Sequence, residues 1–408
     1  MRLRIVHGQP RSILTPHPPD FSLVVGGPLY QLYVKAGLAS EALQLVVRRM
    51  FIMSMICWAP LLVISAYEHL LNGRVTMPFL RDPEVHLKFL VALPILIAAE
   101  VFVHRRMRLI LVQFLDRGII EQKDYPRFQE LIRSAMRLRD STIAELLLIA
   151  VVVAFSIIMW RHSSMLTISG VTISSWYAAN DGEAWHLTRA GSYYALVSLS
   201  IFRFILLRWY FRLFVWYRFL WQVRGMPLHL NLYHPDQAAG LAFLSVSLVA
   251  FSPVFVAQTT VLSGIIFSRI LYQRERLMDF LPEMTGAVLL FLILAALPTF
   301  FFVVLLERTS RLARREFGAF ASQYVDEFRY KWIRGGVQPG MDPLGTPDLQ
   351  SLADLANSYR VVRQMRIFPV ARENLVQLVF FMVLPLLPLT LTVFPVTEII
   401  TRLIKMMF

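Results

Sequence analysis

A chain of 408 residues would ordinarily make two or three soluble domains, but 56% hydrophobic residues, 17% charged residues and a mean hydropathy of +0.55 place it in another class, an all-α polytopic membrane helix bundle. The one cysteine, Cys57, lies inside an apolar run, which excludes an intrachain disulfide framework and multi-cysteine zinc or iron–sulfur centres. The net charge of +14 comes from basic residues flanking apolar runs, where the expected partner is anionic lipid headgroups and not nucleic acid.

The first 49 residues contain no short apolar core followed by small cleavage residues, and Pro16, Pro18, Pro19, Gly26, Gly27 and Pro28 mark a largely irregular tail. Seven later stretches reach the roughly 20 apolar residues a helix needs to cross hydrocarbon, at 51–70, 87–104, 143–160, 193–214, 241–266, 285–306 and 375–400. The chain thus divides into a tail to residue 49, six spans within 50–306 with a helical insertion at 105–142, a helical segment at 307–372 and a last span in 373–408. Twenty-seven Lys and Arg fall in the tail and the loops after the second, fourth and sixth spans, against nine in the alternate loops and the C-terminal end. That asymmetry predicts a cytoplasmic N-terminus and, with seven spans, an external C-terminus.

Between the second and third spans, apolar residues at helical spacing (Met107, Ile110, Leu111, Phe114, then Phe128, Leu131, Ile132) predict two amphipathic helices, the second running into the third span. Outside, the alternation at 165–177 around Gly170 predicts a short hairpin. His162, Asp181, Glu183 and His186 nearby read more simply as solvated loop polarity than as a cation site. Beyond the sixth span, Phe317, Phe320, Tyr324 and Phe328 make an apolar stripe on a projecting helix; glycines and prolines at 335–347 break it, and 348–365 resumes a helical pattern.

Three sets of residues carry functional expectations. In the fourth span, Arg203 falls near mid-membrane and needs a partner or water, so Glu100 of the second span with Arg203 or Arg208 forms a plausible buried pair, either a fixed salt bridge or part of a hydrated path. Trp209, Tyr210, Trp216, Tyr217 and Trp221 read as an interfacial aromatic belt. The fifth span presents Ser252, Gln258 and Thr259 on its most polar wall, broken by Pro253, and the last span presents Thr390 and Thr392 among prolines; both sets suit either a wet path or close helix packing. In the loop before the fifth span, Asp236 stands where an N-cap belongs, and His234 is a second cap or a titrating group.

The loop Tyr233-His234-Pro235-Asp236-Gln237-Ala238-Ala239-Gly240-Leu241 resembles that of a family of uncharacterised bacterial multi-span proteins, which carry an HPD-x-A-G-G-L-like link between spans four and five. The aromatic, arginine-rich fourth span and residues 348–366 extend the resemblance. It implies a bacterial inner-membrane protein and brings no activity; Ala239 stands where the family more usually has glycine. Walker, GxGxxG, HExxH and GxSxG patterns are absent from the sequence, so no enzyme, metal or cofactor is expected. The leading expectation is an ion channel or small-solute pathway that assembles as a homo-oligomer. The alternative is a membrane scaffold or signalling component docking a cytoplasmic partner through its basic helical layer.

Overall fold

The computed structural model describes residues 21–28, 30–31, 45–73, 75–161, 174–180, 185–231, 233–334 and 347–392. Its apolar runs form seven helices long and apolar enough to cross a membrane. These are α1 (Val46–Tyr67), α2 (Pro83–Asp116), α4 (Thr142–Arg161), α5 (Arg189–Arg224), α6 (Ala242–Gln273), α7 (Leu277–Phe300) and α10 (Arg372–Thr392). Outside them lie α3 (Tyr125–Arg139), α8 (Val303–Trp332) and α9 (Pro347–Arg363). A two-stranded antiparallel pair, β1 (Ala178–Asn180) and β2 (Trp185–Leu187), marks one face of the bundle; the basic loops and α3, α8 and α9 mark the other. We call these the hairpin face and the basic face.

Several expected boundaries move. The second apolar stretch does not stop near His104; the helix continues to Asp116, so the first expected amphipathic helix is the lower half of α2. The second, α3, does not run into the third span, because Asp140 and Ser141 break the chain before α4. Phe301 and Phe302 likewise separate α7 from α8, three residues after Pro298. The strands lie C-terminal to the expected hairpin, most of which falls outside the described residues. So do His162, Asp181, Glu183, the glycine-proline break at 335–346 and the chain beyond Thr392.

Prolines inside spans free carbonyls that lipid cannot satisfy, and tyrosines of α5 take two of them. Pro60 frees the Ile56 carbonyl, which accepts from Tyr193 Oη at 3.0 Å, and Pro298 frees that of Leu294, which accepts from Tyr217 Oη. α2 passes Pro94 after a π-helical turn at Leu87–Ala92, and α5 has a second such turn at Tyr194–Ser198. At the centre α6 packs on α2 and α10; α1 packs on α2 and α5, and α4 lies outside against α5. On the basic face α8 and α9 form a helical pair around Ala313, Phe317 and Val362, with the rings of Phe317 and Tyr359 stacked at 5.7 Å.

Candidate functional site

Two charged layers are built on α2, one at its start and one at its middle. The inner layer centres on Glu100, whose carboxylate accepts from Arg49 of α1 and, at 2.9 Å, from Arg212 Nη2 of α5. All three side chains are enclosed, at 10%, 2% and 3% exposure, so each ion depends on the others in place of water. Arg212 also lies over the Trp209 ring at 4.6 Å, and Arg208, one turn away on α5, adds a third guanidinium near Glu100. Three cations surround one anion.

The expected pairing of Glu100 with Arg203 or Arg208 therefore gives way to Arg49 and Arg212. Arg203 points outward from α5 to α4, over the Phe155 ring at 4.6 Å and with Nη2 2.7 Å from Met159 Sδ. The guanidinium of Arg208 reaches the Gly26 carbonyl at 3.4 Å. Arg49 was out of reach of span arithmetic because it sits only one turn inside α1, and a neighbour in the fold is not a neighbour in the sequence.

The outer layer was not anticipated. Lys88, in the π-turn of α2, donates to Glu84 Oε1 at 2.5 Å and to Tyr194 Oη, in the π-turn of α5, at 3.0 Å. Asp82 caps the first turn of α2, accepting from the amide of Glu84 at 2.9 Å, and its other oxygen takes Trp176 Nε1 at 2.9 Å. Burial, with Glu84 adding to it, pushes the Asp82 carboxyl up to about 6 against the opposing pull of Trp176, Lys88 and the Glu84 amide. A signal was available in the sequence: Asp-Pro-Glu-x-x-x-Lys is a capped helix start with an i,i+4 ion pair.

Lys88 and Glu100 are twelve residues apart, roughly 18 Å along a helix. The interval is filled by Cys57, Leu61, Phe89, Leu96, Phe202 and Trp209, all buried. Trp209 Nε1 donates to the Leu96 carbonyl at 2.9 Å, and Ser198 Oγ to the Cys57 carbonyl at 2.8 Å, which ties α2, α5 and α1 together inside this apolar band. Trp209 and Trp216 are thus core residues and not part of an interfacial belt, whereas Trp221 is half exposed and fits one.

The polar walls of the fifth and last spans do not join either layer. Ser252, Thr259 and Thr260 donate to carbonyls of their own helix at 2.8, 3.1 and 2.8 Å; Thr390 and Thr392 do the same on the outer side of α10. Gln258 is the exception, its side-chain oxygen taking the hydroxyl of Tyr210 from α5. An open apolar groove of about 570 Å³ runs along the outer side of α1, lined by Phe51, Met55, Ala59, Pro60 and Val63, far from the charges in character.

Asp236 reaches the first amide of α6, but the N-cap residue there is Leu241, and most of the bonds Asp236 makes fold the loop before the helix. Oδ1 accepts from the amides of Ala238 and Gly240 at 2.9 and 3.0 Å, and Oδ2 from the amide of Ala242, the first residue of α6, at 3.2 Å. Arg117, from the turn after α2, donates 3.0 Å to Asp236 Oδ2 and 2.9 Å to the Gly240 carbonyl; His234 Nδ1 lies 3.0 Å from Oδ1. Burial opposes ionisation there, but the three amides and His234 outweigh it and hold the carboxyl below its ordinary range. Arg366 ties the same loop to the segment after α9, its amide donating to the Gln237 carbonyl at 2.6 Å. Both motif residues therefore serve a junction of three connections on the basic face.

Among the described residues no cluster of His, Cys, Asp and Glu could hold a metal ion. A scan of protein-family models and searches of curated proteins and solved structures found no match to this chain.

Proposed function

We propose that the protein is a gated pathway for ions or small solutes, drawn here in its closed form. The observation that carries the reading is the pair of charged layers at the start and the middle of α2, divided by a band of packed apolar side chains. Charges enclosed at membrane depth are expensive and mark solute routes more often than packing does, and apolar constrictions close such routes by excluding water. Arg49, Arg208 and Arg212 around a single Glu100 favour an anion over a cation as the permeant species. In this reading the basic face is cytoplasmic in a bacterial inner membrane, with the exposed Arg105, Arg108, Arg133 and Arg137 at anionic headgroups. A homo-oligomer would join through the peripheral spans, leaving the route within each copy. The family resembling the loop at 233–241 lends no activity to this reading.

The test is flux of chloride, potassium and glycerol through liposomes holding the purified protein. Phe202→Ala and Leu96→Ser, which loosen the apolar band, are expected to raise flux. Arg212→Gln is expected to lower chloride relative to potassium by about fivefold, the equivalent of roughly 1 kcal/mol. Silent vesicles for every variant and every gradient would sink the proposal. One observation favours a scaffold instead: Phe320, Val325 and Tyr330 of α8 are half exposed beyond the last apolar turn of α7. Loss of cellular function on replacing these three with serine, at unchanged flux, would support that second reading.

A further inference from the structure

Residues 21–27 have no regular structure, yet they are among the most enclosed parts of the basic face. Phe21, Leu23 and Val24 are each 1% exposed and Ser22 6%. The Phe21 ring lies 5.6 Å from that of Phe219 and 6.2 Å from that of Trp216, both on α5. Irregular backbone at such depth persists only where protein satisfies its polar groups, and here side chains of three helices do so. Arg139 at the end of α3 donates to the Ser22 carbonyl, Arg208 of α5 donates to that of Gly26, and His104 Nδ1 of α2 lies 2.8 Å from Ser22 Oγ. Ser22 Oγ in turn accepts from the amides of Val24 and Val25 at 3.1 and 2.8 Å. Gly26 and Gly27 adopt φ of +134° and +87°, which strains any other residue, and a Cβ on Gly26 would also have to displace the Arg139 guanidinium 2.2 Å away.

The seat adjoins the inner charged layer. His104 is one turn beyond Glu100 on α2, and Arg208 is one turn from Arg212 on α5, so two of the three groups that grip the segment stand on the helices that carry Glu100 and Arg212. The walls are mixed, aromatic at Trp216 and Phe219 and cationic at Arg139 and Arg208. Without the segment they would form a polar, basic mouth leading to Glu100. We propose that residues 21–27 are an autoinhibitory plug that occupies this mouth when the pathway is closed and leaves it when the pathway conducts. The inference rests on the pathway reading above and names how that pathway is regulated.

Releasing the plug in the full-length protein tests it. Phe21→Ala with Leu23→Ala removes its apolar anchors, and Gly26→Val, which breaks the seat by a different route, serves if the first variant does not fold. Either is expected to raise chloride flux in liposomes at least about tenfold, as expected when a closed state held by a few contacts becomes the minor one. Adding Ser22→Cys to the released variant puts a thiol beside His104, and cadmium bridging the two should return flux towards that of the unsubstituted protein. EDTA should reverse the block, and His104→Ala should abolish it. Maleimide labelling of the Ser22→Cys thiol, after subtracting Cys57, should be at least about tenfold faster in the released variant, because it reports the open population directly. If the unsubstituted protein conducts and a folded variant with an accessible thiol conducts no faster, the plug is overturned and the pathway stands. If that variant labels quickly and nothing conducts, pathway and plug fall together.

Discussion

The third and fifth spans, α4 and α6, invert the ordinary rule of burial. α4 is apolar all round, yet only Val152, Ser156 and Met159 are buried, and 17% of its apolar stretch is enclosed. α6 has the most hydroxyl groups of any span and 67% of its stretch is enclosed. In water, apolar residues go inside; in lipid, exposing leucine costs nothing, and the interior goes to small residues that allow close approach and to polar ones that satisfy themselves. α4 meets α5 through few polar contacts, Ser156 with Ser200 at 2.7 Å and Met159 with the guanidinium of Arg203. α6 is instead fixed along its length, by Asp236 and Asn374 near its start, Gln258 in the middle and Gly264 against α2.

The sharpest way to break this contrast is a matched pair of enlargements. A Cβ on Gly264 would stand 3.0 Å from the Glu84 Cα, a backbone atom that cannot swing aside. Gly264→Val should therefore destabilise the protein by about 3 kcal/mol or more, read as a fall in midpoint during thermal or denaturant unfolding in detergent. Ala154→Val on the exposed side of α4 should stay within about 0.5 kcal/mol. Equal costs would show that α4 is packed in the working protein, as in an oligomer joined through that helix.

Next in size is the start of α6. Asp236→Ala orphans the amides of Ala238, Gly240 and Ala242 and leaves Arg117 without its carboxylate, at a cost of about 2 kcal/mol. Because the folded carboxyl titrates below the unfolded one, its contribution is complete above the ordinary aspartate range near pH 4 and is lost as pH falls through the lower folded value. The unsubstituted protein should lose stability on acidification through that window, and Asp236→Asn should flatten that part of the profile. Identical profiles would remove the carboxylate from the account.

Asp236 also shows what the sequence made legible. Its bond to the first amide of α6 followed from position, an aspartate between a proline and an apolar run, because capping is local; its hold on the loop amides and on Arg117 did not. The seven spans were legible for the same reason, each being a property of some twenty consecutive residues. The Glu100 partners were not, because Arg49, Glu100 and Arg212 meet only through the crossing of three helices, and depth counted along each span leaves rotation about its axis undetermined. Nor was the insertion of residues 21–27, since a stretch of prolines, glycines and short apolar residues has no periodicity to declare a buried face. Trp209 and Trp216 misled because their proximity to the inner end of α5 suits a belt, while the direction of each ring depends on helix rotation.

A smaller effect separates backbone conformation from contact. Ala239 occupies the left-handed region at φ +53°, between Gln237 at +57° and Gly240 at +94°. A glycine at this position would meet the same need for a positive φ without a Cβ to strain. Ala239→Gly should raise stability by up to about 1 kcal/mol, the relief of left-handed strain less the entropy glycine loses on folding. A fall would mean that the Ala239 methyl, which is buried, contributes more by packing than it costs by strain.

The smallest expected effect is the most discriminating for the role of α6. Thr259 is fully buried near the middle of the span, and its hydroxyl donates to the Val256 carbonyl. That carbonyl also receives the Thr260 hydroxyl at 2.8 Å, so replacing Thr259 with the similarly shaped valine orphans no acceptor. Stability should change by about 0.5 kcal/mol or less. Flux should not change either, because a hydroxyl turned back on its own helix offers nothing to a passing ion, and the proposed route runs past Glu100 between α1, α2 and α5. A change in selectivity or rate in Thr259→Val, at unchanged stability, would mean that this hydroxyl leaves its carbonyl to face solute. The hydroxyls of α6 would then be a path lining that closes by self-pairing, and the contrast with α4 would be one of function as well as packing.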